Sequence, residues 1–350
     1  MAILEYRYIV AAIYAIVLFL DRLDLTIVNI ALPKIAEHFK IEITETEWIN
    51  NAFLLALALS IPISGWAADR WGDKRIFMLA ILMFGLASLC CGLAPSIDFL
   101  IVMRFIQGLA GGLIVPVGMS MVFRAFDPKE YASISSYIFI PSLIAPAISP
   151  TLGGFMITYF SWKWVFLFAT PICAITLIGA GHWLKEYKLS MKTQLDGWGF
   201  VLLASALLLI FYVLSGVGNH GLSLQNIMLL GLSLVLGYAF IQQERGTELP
   251  LVELGFFNNI LFVQANLIQM LFQIGHFGSI FLISIFLQIG LEYSPMQAGM
   301  IMGMQAVGSI CTSRLSVQWF QRYSAKLPIM LGLAGIGFIT PMILILTPNS

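Results

Sequence analysis

Apolar runs of roughly twenty residues alternate with short polar interruptions along almost the whole chain. Runs of that length cross the hydrocarbon of a bilayer when helical. The pattern predicts spans at 8–30, 46–68, 75–94, 99–121, 132–157, 163–184, 197–216, 224–242, 258–287, 295–313 and 326–347. Residues 8–20 have no small-residue cleavage site behind them and read on into polar sequence, so they begin a first span and not a removable signal. In lipid every backbone polar group must be satisfied internally, so the expected class is an all-α polytopic membrane protein.

Composition agrees. The chain is 59% hydrophobic and 10% charged, where a soluble domain carries roughly 25% charge. Lys+Arg and Asp+Glu balance at 18 each, so no nucleic-acid partner is expected. Cys90, Cys91, Cys173 and Cys311 lie in or beside apolar runs without metal-ligand spacing and read as small buried hydrophobes. The histidines (His38, His182, His220, His276) are scattered, with no His-Glu-x-x-His and no Ser/His/Asp grouping. A phosphate-binding Gly-x-x-x-x-Gly-Lys loop is also missing, so neither an enzyme nor an ATP-driven pump is expected, and no cofactor or metal.

Cations set the orientation. Arg7, Arg70, Lys74, Arg75, Arg124, Lys129, Lys185, Lys188, Lys192, Arg245, Arg314, Arg322 and Lys326 fall on one side of the alternating spans; Lys34, Lys40 and Lys163 fall on the other. The N-terminus is therefore expected in the cytoplasm.

Against this background a few polar positions stand out. Asp24, in Leu23-Asp24-Leu25-Thr26-Ile27-Val28-Asn29-Ile30-Ala31-Leu32-Pro33, lies in an apolar helix. There a carboxylate costs about 2.5–3.5 kcal/mol and faces a cavity or a partner. Such a group suits proton pick-up and release, or it forms a structural pair with its neighbours; Asp21 lies one turn earlier on the same face, with Arg22 beside it. Arg104 in the fourth span stays charged at any working pH and needs water, carbonyls or a carboxylate. Gly108 and Gly112 behind it form a small-xxx-small packing face. Pro141, Pro146 and Pro150, with Gly153 and Gly154, predict a bent fifth span. Asn266, Gln269, Gln273 and His276 recur on one face of the ninth span, either lining a substrate cavity or gluing helices together. Finally, Gly65-Trp66-Ala67-Ala68-Asp69-Arg70-Trp71-Gly72-Asp73-Lys74-Arg75 crowds charge into a tight turn, with Gly65 expected to allow close helix approach and Gly72 to reverse the chain.

On these residues the chain resembles the major facilitator superfamily, in its fourteen-span drug:proton antiporter branch. The resemblance rests on the 65–75 turn, the Asp24 stretch, Arg104-Phe105-Ile106-Gln107-Gly108 and Ala145-Pro146-Ala147-Ile148-Ser149-Pro150-Thr151-Leu152-Gly153-Gly154. Departures are Asp73, where a basic residue is usual, and Ala145 and Ser149 in place of glycines. The resemblance implies a six-helix N-terminal bundle (1–188), a linker with two extra spans (189–250) and a C-terminal bundle of which 251–350 holds three spans. Three more would then be expected after Ser350, so the chain reads as truncated. Alignment of Asp69-Arg70-Trp71-Gly72-Asp73-Lys74 with Gln321-Arg322-Tyr323-Ser324-Ala325-Lys326 supports a duplicated architecture.

The implied activity is proton-coupled export of hydrophobic or cationic drugs by alternating access, in the plasma membrane, of a bacterial inner membrane type. Asp24 and Arg104 are implied in proton coupling. Gly65, Asp69, Arg70, Gly72, Lys74, Arg75, Pro146, Pro150, Gly153 and Gly154 are implied in conformational change. Asn29, Gln107, Asn266, Gln269, Gln273 and His276 are the expected substrate-cavity groups. The expected partners are a small-molecule substrate, protons and the lipid bilayer, with a periplasmic adaptor and outer-membrane channel left open. Export of one defined solute (amino acid, sugar or siderophore) and a non-transporting fragment are the other readings.

Overall fold

The computed structural model describes residues 5–187, 194–220, 223–247, 250–294 and 296–304, together with Gly308, Thr312, Trp319, Met330, Leu331, Gly332 and Ala334. Most of the predicted span at 326–347, part of that at 295–313 and the 321–326 turn lie outside the described residues.

Among the described residues the regular elements are all helical. They are α1 (Tyr6–Phe39), α2 (Glu47–Trp71), α3 (Asp73–Gly92), α4 (Ile97–Ala125), α5 (Tyr131–Tyr159), α6 (Trp164–Leu167), α7 (Ala169–Trp183), α8 (Gly197–His220), α9 (Leu224–Gly246) and α10 (Ile260–Ile285). A π turn (Phe286–Gly290) closes α10, and residues 296–304 are helical again. Seven helices are long and apolar enough to cross a membrane among the described residues, α6 and α7 forming one span. The two segments of α5, Ser133–Pro146 and Ile148–Tyr159, meet at 44° and add an eighth. α1 is 34 residues long yet is not among them, because Asp21, Arg22 and Asp24 interrupt its apolar run.

α4 packs against α1, α2 and α3, while α5 lies along α1 and α7 along α3. One core gathers Tyr14, Phe53, Phe77 and Phe84; a second gathers Ile27, Ile49, Val165 and Phe166. Glycine permits the closest of these approaches. A Cβ on Gly108 would run into the Phe53 carbonyl, and one on Gly112 into the Leu57 carbonyl and Ser60 Oγ. The Gly108/Gly112 face therefore meets α2, as small-xxx-small faces do when helix backbones come together. Gly65 does not play that part: a Cβ there would meet nothing within 4 Å among the described residues.

α8 and α9 pair with each other, Ser233 Oγ donating to the Ala206 carbonyl at 2.9 Å. They dock on α2 through α8, where Asn51 Nδ2 donates to Ser215 Oγ at 2.9 Å. Ile30 of α1, Ile280 and Leu287 of the α10 region, and Ala298 and Met302 form a small third core.

The charged 65–75 stretch is helical almost throughout. α2 continues to Trp71, α3 starts at Asp73, and the reversal falls on Gly72 alone, at φ +100°. That φ favours glycine, and a Cβ there would also collide with the Glu186 carboxylate. The chain beyond α7 returns to this point. Asp73 N–H donates to the Tyr187 carbonyl at 3.0 Å, Lys74 N–H to Glu186 Oε1 at 3.1 Å, and Lys74 Nζ to the Gly181 carbonyl at 2.7 Å. Arg75 pairs with Glu186 at 3.5 Å. The buried Asp73 forms an ion pair with Arg124 at the end of α4, whose guanidinium lies 4.3 Å from the Tyr187 ring centroid and 3.9 Å from Asp69. Asp73, the departure from the resembled pattern, thus ties three helix ends together.

Two stability outcomes follow. Gly112→Val is expected to destabilise the purified protein by about 1–3 kcal/mol through overpacking, while Gly65→Ala leaves its melting temperature within error; thermal melts of both read this directly. Arg124→Ala strands the Asp73 carboxylate and is expected to cost about 1–3 kcal/mol, most of which Asp73→Asn in the same background recovers.

Candidate functional site: a buried ion pair beside a polar cavity

Midway along α1 and α4, Asp24 and Arg104 meet with neither side chain exposed to solvent. Arg104 Nη1 donates to Asp24 Oδ2 in a short ion pair and to Gln107 Oε1 at 2.8 Å. Gln107 Nε2 donates to Asp24 Oδ1 at 3.1 Å, closing a three-residue ring, and Arg104 Nε donates to the Ile49 carbonyl at 3.3 Å. The guanidinium also lies over Phe53, 4.4 Å from its centroid, and 5.7 Å from that of Phe166, where ring quadrupoles favour a cation. Nη2 has no hydrogen-bond partner among the described residues. Losing one member of such a pair leaves a bare buried charge, at a cost of about 3–5 kcal/mol.

Asp21 is buried one turn earlier. Arg22 Nε lies 3.9 Å away, and neither carboxylate oxygen has a hydrogen-bond donor among the described residues. Gly111 of α4 leaves the room: a Cβ there would come within 2.8 Å of Asp21 Oδ1.

A cavity of about 520 Å³ opens beside the pair, walled by α1, α2, α4 and α10. Of the residues expected to line it, Asn29 and Gln273 do. Gln107 is not on that wall; it is fully buried and its amide is committed to Asp24 and Arg104. Asn266 and Gln269 are exposed, Asn266 Nδ2 donating back to the Phe262 carbonyl at 2.8 Å. His276 is half-buried and stacks on Phe272 with centroids 5.5 Å apart. The wall also carries three polar residues of α2 outside the expected set: Glu47, Asn50 and Asn51. Their signal was available, because they sit at i, i+3 and i+4 on the first turns of an otherwise apolar helix. Asn50 Nδ2 donates to Asn29 Oδ1 at 2.7 Å, linking α2 to α1.

α5 passes between the two parts of the fold. Gly153 lets it approach α1 so closely that a Cβ would lie 3.0 Å from Ile27; Gly154 is buried next to it. Beyond the bend between Pro146 and Pro150, Thr151 Oγ1 donates to the Gly299 carbonyl at 2.9 Å. A Cβ on Gly299 would strike the Pro150 carbonyl. Asp69, Arg70, Gly72, Lys74 and Arg75 lie at the opposite end of α2 from Glu47, about 37 Å away at 1.5 Å per residue. Arg70 lies over the Trp66 ring at 5.7 Å.

Residues 14–350 match the Major Facilitator Superfamily. MdtD of Yersinia enterocolitica is 32% identical over 311 residues, which is 88% of this chain and 66% of that protein. The multidrug resistance protein B homolog of Mycobacterium tuberculosis is 31% identical over 322 residues, 90% of this chain and 59% of that protein. The chain therefore spans about three fifths to two thirds of the length of these curated relatives. A crystal structure of a POT family transporter in complex with a thioalcohol-conjugated peptide superposes with a TM-score of 0.59, covering 90% of this chain and 70% of that one. At 15% identity that likeness speaks for the fold alone. Helices long and apolar enough to cross a membrane, the match across nearly the whole chain and these relatives agree: the protein is an integral membrane protein belonging to the Major Facilitator Superfamily.

Proposed function

We propose that the chain works in proton-coupled export of hydrophobic or cationic drugs, by alternating access about the cavity beside Asp24. The observation that carries this reading is the fully buried Asp24–Arg104 pair on the edge of that cavity. A carboxylate held by an arginine inside a membrane is expensive to leave bare, so a proton arriving at Asp24 changes what Arg104 must bind. The multidrug-resistance name of the mycobacterial relative supports the substrate class. Inward proton movement supplies about 2.3 kcal/mol per 100 mV of membrane potential.

In this mechanism residues 1–188 form one rocking bundle, 189–250 carry the two extra spans, and 251–350 belong to the second bundle. The N-terminus faces the cytoplasm of a bacterial cell, which puts the Asp73–Arg124 end inside and Glu47 at the outer side. α5 is the moving contact, bent by its prolines and pressed through Gly153 on α1 and through Pro150 on Gly299. The Gly72 junction holds the inner ends of α2, α3 and α4 as one unit.

Dye efflux from cells expressing the full-length protein, with and without an uncoupler, tests this reading. Uncoupler-sensitive efflux is expected, and Asp24→Asn is expected to slow it about tenfold or more, the loss of roughly 1.4 kcal/mol of coupling; efflux by Asp24→Asn that matches the parent and still stops with uncoupler would overturn the role of Asp24. Gly299→Leu is expected to reduce efflux severalfold at equal membrane abundance, because its side chain must displace the α5 backbone.

A further inference from the structure

The cavity wall carries an acid that the coupling mechanism does not use. Two charged side chains face the cavity, Glu47 at the first turn of α2 and Arg104 of α4. The charge of Arg104 is met by Asp24 behind it. Glu47, by contrast, is half-buried and has no ion pair or hydrogen bond from its carboxylate among the described residues. Among the described wall residues the uncompensated charge is thus a single negative one. Next to it, one turn along the same face, Asn50 Oδ1 is buried and lacks a donor. Two acceptors without donors, three residues apart, border a space whose other walls include Leu25, Leu54 and Phe281. Its volume of about 520 Å³ falls within the range of small-molecule sites.

We infer that Glu47 and Asn50 form the head-group subsite of this cavity, selecting amphiphilic monocations that carry N–H donors. The cationic N–H groups satisfy Glu47 and Asn50 Oδ1, and the apolar body lies on Leu25, Leu54 and Phe281. In a site of low effective dielectric a charge-assisted hydrogen bond of this kind is about twice as strong as a neutral one. The inference rests on the exporter reading, since it names the substrate class of that same cavity.

The test is direct binding to the full-length protein in nanodiscs, followed by fluorescence polarisation with two probes: proflavine, a flat cation with N–H donors, and Nile red, a neutral dye. Glu47→Gln is expected to weaken proflavine binding about tenfold, while Nile red binding changes less than about twofold; Glu47→Asp is expected to keep most of the proflavine affinity. Unchanged proflavine binding by Glu47→Gln, equal loss of both probes, or a parent protein that binds no proflavine would each overturn the subsite. The dye-efflux assay stands apart from this outcome. A parent that shows uncoupler-sensitive efflux while Glu47→Gln binds proflavine normally removes the subsite and leaves the exporter reading intact.

Discussion

A charge inside a membrane must be answered by another, and this constraint organises the N-terminal helices. Asp24 and Arg104 are fully enclosed; each bonds the other and Gln107, and Arg104 Nε also donates to the Ile49 carbonyl. For the four groups to meet, α1, α2 and α4 must approach closely and in one register. Gly108 and Gly112 allow that approach by letting α4 touch the α2 backbone at Phe53 and Leu57. The aromatic faces of Phe53 and Phe166 then close over the guanidinium. Close packing by glycine and the buried ion pair are therefore two aspects of one arrangement.

A second constraint acts at the Gly72 end. There Asp73, Arg124, Glu186 and the Tyr187 ring link the ends of α2, α3 and α4 to the chain leaving α7. Apart from the buried Asp73 these groups are partly solvated, so contacts such as Arg75–Glu186 are individually weaker than those around Asp24. Their effect comes from joining several helix ends at a position where Gly72 admits no side chain. The two ends of α2 thus differ in character: a locked charged junction at one, and a cavity with an unanswered acid at the other.

Much of this was legible in the sequence. From the second span to the ninth, apolar run length gave the helices within a few residues, because lipid thickness sets helix length directly, while α1 runs on to Phe39, past the predicted end at 30. Asp24 and Arg104 were legible for the same reason: a charge in such a run has few explanations. Their mutual contact was not, since sequence spacing says nothing of which faces two distant helices present to each other. Gln107 illustrates the limit. It reads as a polar group available to substrate, yet in three dimensions its amide is consumed by the pair. Gly65 likewise reads as a packing glycine and has nothing within 4 Å of a Cβ, while Gly299, with no signal in the sequence, meets the α5 backbone. The 65–75 stretch reads as a loop because it is charged, whereas helix geometry carries it through with one residue of reversal. Glu47 stands at the edge of a span, and only the cavity distinguishes it from the other acids of that outer loop.

The separation of the paired residues along the chain has a consequence for biogenesis. Asp24 and Arg104 lie 80 positions apart. At typical synthesis rates of about 5–20 residues per second, the partner follows some 4–16 seconds later. During that interval the first helix holds Asp24 without the arginine that pairs with it in the fold. It must wait beside the insertion machinery, or near water, until the fourth helix arrives to complete it. The polar contacts of the first helix are thereby completed only when the fourth is in place.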